Sequence, residues 1–359
     1  MPRRKAIVAG ALGLIGRAVV EHLSRDGDWE VVGLSRRAPD FETRAEFLPL
    51  DLTDRDACRA ALAGHADATH LIYAALYEKP ELAGGWRDPE HIRTNLAMLR
   101  NLFESVESPR LEHVTLLQGT KAYGGHLGLP MRIPAKEREP RVPHPNFYFE
   151  QEDWLRERQA GRDWRWTIFR PQVVLGVAAR SAMNVVAGVG AYAALCRERS
   201  EPLRAPGHRH HVTECTDARL QARAIEWAGA SPAAADEIFN IANGDVIAWH
   251  DFWPRLAEFF GLEPGEPDEL RMSVEMPRRA EDWRRLAERE NLKLADLDEL
   301  IGLSWQYADM IWANPRPAPG VTLVSSIKLR QAGFADCVDS EDAFLELLEE
   351  MRRERYLPA

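Results

Sequence analysis

Short apolar runs alternate with segments of helical periodicity along the first half of the chain. Lys5-Ala6-Ile7-Val8-Ala9 reads as a strand, after which Ile15, Val19, Val20 and Leu23 share one helical face. Glu30-Val31-Val32-Gly33-Leu34, Phe47-Leu48-Pro49-Leu50 and His70-Leu71-Ile72-Tyr73-Ala74-Ala75 read as the next three strands. A helix is predicted from Asp54, and another over about residues 88–107, where Ile92, Leu96, Leu99 and Phe103 align and Asn95 reads as a buried hydrogen-bonding residue. His113-Val114-Thr115-Leu116-Leu117 and Trp166-Thr167-Ile168-Phe169 make a fifth and sixth strand, and residues 237–241 a seventh. Further helices are predicted near 146, over 181–197 with Val185, Val189 and Tyr192 inward, over 214–229, from Trp249 to Phe260, through the charged 278–300 segment as a solvated face, and from about Ser340. Strands alternating with helices predict an α/β, doubly wound parallel sheet, and the run from Trp249 predicts a smaller, mostly helical C-terminal part.

Composition narrows the partners. The 359 residues hold 46 Lys and Arg against 56 Asp and Glu, a formal charge of −10 that argues against nucleic acid or an anionic membrane. No apolar run approaches the ~20 residues of a membrane span, and no signal-peptide pattern precedes Lys5. Cys58, Cys196, Cys215 and Cys337 are scattered without metal-ligand spacing and read as reduced thiols of a cytoplasmic protein. His208, His210 and His211 sit in a basic loop without a carboxylate partner, so no metal is expected.

The chemistry begins at the first strand's end. In Gly10-Ala11-Leu12-Gly13-Leu14-Ile15-Gly16, spaced glycines between a strand and a helix form the Rossmann dinucleotide fingerprint. They permit a tight turn, a close approach of backbone to phosphate, and close helix packing, with the helix N-terminus aimed at the anion. Ser35-Arg36-Arg37 follow the second strand where an NAD site keeps an acidic ribose ligand. Paired guanidiniums suit a 2′-phosphate, so the expected cofactor is NADP(H). Asp51 and Leu52 at the third strand end are placed for the adenine, although Asp51 could equally cap the helix from Asp54. Ala74 and Ala75 let backbone lie against the cofactor. The fifth strand runs into Gln118-Gly119-Thr120-Lys121, placing Lys121 at the ligand end of the sheet. Tyr148 opens a helix where short-chain dehydrogenases keep a proton donor. The residue four further on is Glu152 instead of lysine, so either the chain is not a standard member or its cation comes from elsewhere, with Lys121 the obvious supplier.

Beyond these, Gln118-Gly119-Thr120-Lys121-Ala122-Tyr123-Gly124, Asn146-Phe147-Tyr148-Phe149 with Glu152-Asp153, Phe169-Arg170-Pro171 with Gly176, Met183-Asn184, 239–246 and Ser325-Ser326-Ile327-Lys328 with Gly333-Phe334 resemble the progesterone 5β-reductase and iridoid synthase-like family over effectively the whole chain. These are atypical extended short-chain dehydrogenases. The resemblance implies Tyr148 and Lys121 as the catalytic pair. It extends the cofactor contacts to Gln118, Tyr148, Val174, Ser181 and Met183, and places Tyr123, Phe149, Met183 and Trp305 on a substrate pocket. Trp305, Tyr307, Met310 and Trp312 fit a pocket roof or core packing equally. Ala122 and Phe149 replace the histidine and tyrosine usual in plant members and alter the pocket wall, so the family's steroid and monoterpene substrates do not transfer.

The implied activity is NADPH-dependent reduction of the C=C bond of a small-molecule enone. Carbonyl reduction or sugar-nucleotide epimerisation is the alternative within the fold, and a non-catalytic NADP sensor the alternative outside it. The expected division is a nucleotide domain of residues 1–175 with about 212–248, and a substrate-binding cap of about 176–211 and 249–359. A homodimer is compatible with this reading.

Overall fold

The computed structural model describes residues 4–25, 27–127, 129, 131–207, 212–313 and 322–359. The chain divides into two compact units: Met1–Gln172 with Ala218–Ile241 and Val324–Asp336, and Val173–Asp217 with Ala242–Leu323 and Cys337–Ala359.

The first unit is built on strands β1 (Arg4–Ala9), β2 (Trp29–Ser35), β3 (Glu46–Pro49), β4 (His70–Tyr73), β5 (His113–Leu117), β6 (Arg165–Pro171) and β7 (Glu237–Ile241). They pair in the order β7-β6-β5-β4-β1-β2-β3, every pair parallel. This is the Rossmann-type sheet that the strand and helix periodicities predict. The order reverses beside β1, and Ala9 lies level with Leu34 of β2 and Tyr73 of β4, so three carboxyl ends meet at one point. Successive side chains of a strand face opposite sides. Ile7, Ala9, Leu71, Tyr73, Val114 and Leu116 face one way, onto Leu99, Leu102 and Phe103 of the helix Pro89–Val106. Helix Leu14–Leu23 packs beside Ala218–Ala230. Polar residues ahead of the apolar stripes start the helices: Asp54, Asp88 and Asn146 accept from the backbone N–H of Ala57, Glu90 and Tyr148. Asn95 is wholly buried, bonded to both backbone groups of Tyr77 and to the His91 carbonyl.

In the second unit, helix Val185–Glu198 is buried on all sides from Val185 through Cys196, not only along the Val185, Val189 and Tyr192 stripe that its periodicity predicts. Aromatic and aliphatic residues of Trp249–Phe259, Ala280–Glu290 and Ser340–Arg353 share its core. Its glycines make close packing feasible, since a Cβ on Gly190 would lie 2.3 Å from a Leu357 methyl. Two predicted helices begin late. Asn184 caps Val185, and Thr216–Asp217 pairs with Val174–Leu175 as a two-residue strand too short for any periodicity. Trp312 meets Trp249 and Trp253 edge-on at 4.9 and 5.7 Å, which makes it core. Burial pushes the Cys58 and Cys196 thiols up to about 11, and Cys337 is exposed. Among the described residues no helix is long and apolar enough to cross a membrane.

Gly16 supplies a test of this framework. A Gly→Ala change inside a helix ordinarily stabilises by about 0.5–1 kcal/mol. Here the added Cβ would lie 2.1 Å from the Gly10 carbonyl oxygen, a backbone atom that cannot step aside. Gly16→Ala is expected to lose roughly 1–3 kcal/mol in urea denaturation, whereas Gly64→Ala, whose Cβ meets nothing within 4 Å, stays near neutral. An unchanged or raised midpoint for Gly16→Ala refutes the packing argument.

Candidate functional site

At the switch point each fingerprint glycine answers a different demand. Gly10 has φ +74°, and a Cβ there would lie 2.6 Å from the Ala74 carbonyl oxygen. Gly16 abuts Gly10, as above. Gly13 caps helix Leu14–Leu23 without a side chain, and its Cβ would meet only the Gly10 oxygen, at 3.3 Å. Gly13 N–H donates to the Gly10 carbonyl at 2.9 Å, so the helix presents its first N–H groups through Leu14 and Ile15, without an acidic residue in the first turn, while Leu12 is buried. A dinucleotide pyrophosphate fits this cradle, and side chains on those glycines would fill or distort it.

The turn is tied to its neighbours by backbone. Gly10 and Ala11 N–H both donate to the Leu34 carbonyl at 3.1 Å, and Ala74 N–H donates to Ala9 at 3.0 Å. This holds Ala74 and Ala75 against the turn on one side and Ser35, Arg36 and Arg37 just beyond Leu34 on the other. Arg36 is exposed, and Arg37 N–H donates to the Ser35 hydroxyl. Asp51 accepts from the N–H and hydroxyl of Thr53 at 2.9 and 2.8 Å, and these bonds, with the Arg36 charge, hold its carboxyl below the usual range. One of its oxygens thus serves its own turn, with Leu52 buried behind it.

The candidate catalytic residues gather where β5 ends. Asn146 accepts from Tyr148 N–H at 3.0 Å and donates to the Lys121 carbonyl at 3.3 Å, joining the two backbones. Gln118 donates to the Tyr148 carbonyl and to Glu152, both at 3.1 Å, and accepts from Arg170 at 2.8 Å. A Cβ on Gly119 would lie 3.2 Å from the Tyr148 hydroxyl, so the phenol crosses the strand end over a residue without a side chain. Lys121 Nζ lies 5.5 Å from the Tyr148 ring centre and 4.0 Å from that of Trp86. The nearest carboxylate oxygen, on Glu78, is 3.9 Å away, and Nζ has no hydrogen-bond partner among the described residues. Burial pulls this ammonium below its ordinary value, and the Glu78 charge opposes the pull. Three N–H donors are thus left for a ligand such as a ribose hydroxyl or a substrate oxygen.

Glu152, in the position of the usual lysine, has the opposite environment. It is 3 % exposed and within 2.9 Å of Arg141, 3.2 Å of Arg156 and 3.4 Å of Arg170. Burial would raise its carboxyl, but hydrogen bonds from Arg141 and Gln118 and the charges of Arg141 and Arg170 hold it below the usual range. The fourth residue after Tyr148 is an anchored carboxylate and cannot stand in for a lysine.

Of the expected pocket residues, Tyr123 is buried with its hydroxyl donating to Asn240 at 2.6 Å, and Phe149 packs on His144 and under the Arg141 guanidinium. Val174, Ser181, Met183 and Trp305 belong to the second unit. Val174 pairs with Thr216, the Ser181 hydroxyl accepts from Met183 N–H, and Trp305 is buried near Gly188. The His208, His210 and His211 loop lies outside the described residues. Among the described residues no three His, Cys, Asp or Glu side chains group to hold a metal. Sequence reasoning missed Asn146 as the link within the pair, although an asparagine before Phe147-Tyr148-Phe149 is a helix-cap signal. It missed Glu78 and Trp86 altogether, since neither carries a motif.

A sequence model of the NAD dependent epimerase/dehydratase family matches residues 6–242. The (S)-8-oxocitronellyl enol synthase of Catharanthus roseus is 29 % identical over 375 residues, spanning 98 % of this chain and 92 % of its own. That of Nepeta cataria is 29 % identical over 373 residues, spanning 98 % and 93 %. These are iridoid synthases, and they bear out the resemblance to that family. A solved UDP-glucose 4-epimerase of Thermotoga maritima superposes with a TM-score of 0.67 at 17 % identity, over 97 % of this chain and 99 % of its own, a likeness of fold alone. The chain thus belongs to the NAD dependent epimerase/dehydratase family, on the extended short-chain dehydrogenase plan, and is an enzyme of the NAD(P)-dependent oxidoreductase and epimerase type.

Proposed function

We propose that this enzyme reduces the C=C bond of α,β-unsaturated carbonyl compounds with NADPH. One observation carries the reading: a buried lysine ammonium without a hydrogen-bond partner among the described residues stands beside a tyrosine, while the usual lysine position holds an anchored carboxylate. The names of the enol synthase relatives support it.

A bound nicotinamide supplies the hydride. When the hydride adds at the β-carbon of an enone, the π electrons move to the carbonyl oxygen as an enolate. The Tyr148 hydroxyl is the donor to that oxygen, and its proton converts the enolate to an enol, which tautomerises to the saturated carbonyl. Lys121 offsets the negative charge left on the phenol, and its ammonium would hold a ribose hydroxyl of the bound cofactor. A preorganised donor of this kind is typically worth ~2.7–4 kcal/mol of barrier. At the other end of the cofactor, Arg36 and Arg37 would receive the 2′-phosphate with charge-assisted hydrogen bonds.

Product analysis by NMR and mass spectrometry is expected to give a saturated ketone or aldehyde from a cyclic or linear enone. Allylic alcohol as the main product overturns the reading in favour of carbonyl reduction.

NADPH is expected to bind more tightly than NADH, and the double change Arg36→Ala, Arg37→Ala to narrow the gap by roughly 10- to 100-fold, the loss of one or two hydrogen bonds to a charged group. Fluorescence titration reads this directly, and equal affinities in the parent protein refute the 2′-phosphate assignment.

Tyr148→Phe removes one hydroxyl and little packing. With a weakly activated cyclic enone at saturating NADPH, turnover is expected to fall roughly 10²–10³-fold while NADPH affinity holds within a few-fold. Lys121→Met acts through the same oxygen, so the double variant should lose much less than the product of the two effects. Full turnover in Tyr148→Phe sinks this mechanism.

A further inference from the structure

The surroundings of Lys121 hold a second charged group. Glu78 follows β4, and its side chain is 8 % exposed. Its Oε1 accepts from Trp86 Nε1 at 3.1 Å, and its Oε2 lies 3.1 Å from His91 Nε2, so both oxygens are fixed. Trp86 also lies face-on to the Lys121 ammonium at 4.0 Å. A single indole thus holds the carboxylate with its N–H and the cation with its π face. His91 is wholly buried, edge-on to Phe147 at 5.3 Å, and Phe147 in turn meets Tyr148 at 4.5 Å.

We propose that Glu78 is a positioning residue for the catalytic pair: a carboxylate pinned by Trp86 and His91 whose charge keeps Lys121 protonated and seated over Trp86, beside Tyr148. This rests on reading Lys121 and Tyr148 as catalytic.

The separation is the telling feature. A contact ion pair near 2.8 Å would occupy the ammonium donors, and no counter-charge at all would leave burial to neutralise the amine. At 3.9 Å the carboxylate attracts the cation without accepting its hydrogen bonds, so the N–H groups stay available to ligand oxygens. The other groups facing Lys121 do not replace Glu78. His91 approaches from helix Pro89–Val106 with its Nε2 on Glu78, and Tyr148 from helix Phe147–Gln159. Lys79 pairs with Asp88 and Glu90 at 2.8 and 2.7 Å, and Glu152 is taken by its arginines.

The chain has six lysines, so the side-chain NMR spectrum of lysine-labelled protein is sparse, and Lys121→Arg identifies the Lys121 signal. In cofactor-free protein, Glu78→Gln is expected to lower the titration midpoint of Lys121 by at least one pH unit, a tenfold loss of proton affinity. Glu78→Asp, with the carboxylate drawn back by one methylene, should lower it less, and it carries the test alone if Glu78→Gln does not fold. In turnover at saturating NADPH, the alkaline limb of the rate profile should move down with the midpoint in the same order across the variants. A Lys121 midpoint unchanged in the folded variants overturns the proposal. The titration judges Glu78 independently of Tyr148→Phe turnover, which judges the catalytic reading, so the two failures are distinguishable.

Discussion

Three stretches of backbone converge at Gly10 closer than any side chain allows. The Ala74 carbonyl lies where a Cβ of Gly10 would be, the Gly10 carbonyl lies where a Cβ of Gly16 would be, and the Leu34 carbonyl receives the N–H groups of both Gly10 and Ala11. The cofactor end of the site follows from that approach. It brings β1, β2 and β4 to one level, starts the helix at Leu14, and sets Arg36 beyond Leu34. A backbone constraint of this kind tolerates wide change elsewhere in the chain.

Around β5 the arrangement is electrostatic. The usual lysine position carries Glu152, and a carboxylate there would repel electrons arriving on a substrate oxygen. Arg141, Arg156 and Arg170 surround it and Gln118 binds it, so its charge is answered locally. A cation stands instead at Lys121, on the turn after β5, its backbone joined to that of Tyr148 through Asn146. The anion at Glu152 has become part of the scaffold that orients Gln118 and, through its carbonyl, Tyr148.

What could be read beforehand divides along physical lines. The seven strands of the main sheet, the glycine turn and the helix starting at Asn146 were legible because they depend on local signals: apolar runs, glycine spacing and capping residues. Lys121 was singled out by the strand end before it and Tyr148 by the helix start, and the motif resemblance paired them as candidates. Glu78, Trp86 and His91 were not: Glu78 and Trp86 meet Lys121 only through the fold and lie in a stretch without periodicity, and His91, on the helix predicted over 88–107, acts through Glu78. Thr216–Asp217 and Val174–Leu175 were invisible for another reason: two residues hold no period. The all-round burial of Val185–Cys196 escaped because alanine and glycine enter a periodicity weakly, although their small size is what lets neighbouring elements close in.

That interior helix has a consequence in time. A soluble helix normally keeps one wet face, but Val185–Cys196 has none to offer. Among its core partners, Phe344, Leu347, Leu348, Met351 and Leu357 are made about 150 residues after Cys196. At 5–20 residues per second that delay is on the order of 10–30 s. Throughout it the growing chain carries an apolar segment whose final cover does not yet exist, while the first half of the main sheet already has the residues it needs. The second unit is therefore the part of the newborn protein most in need of shelter.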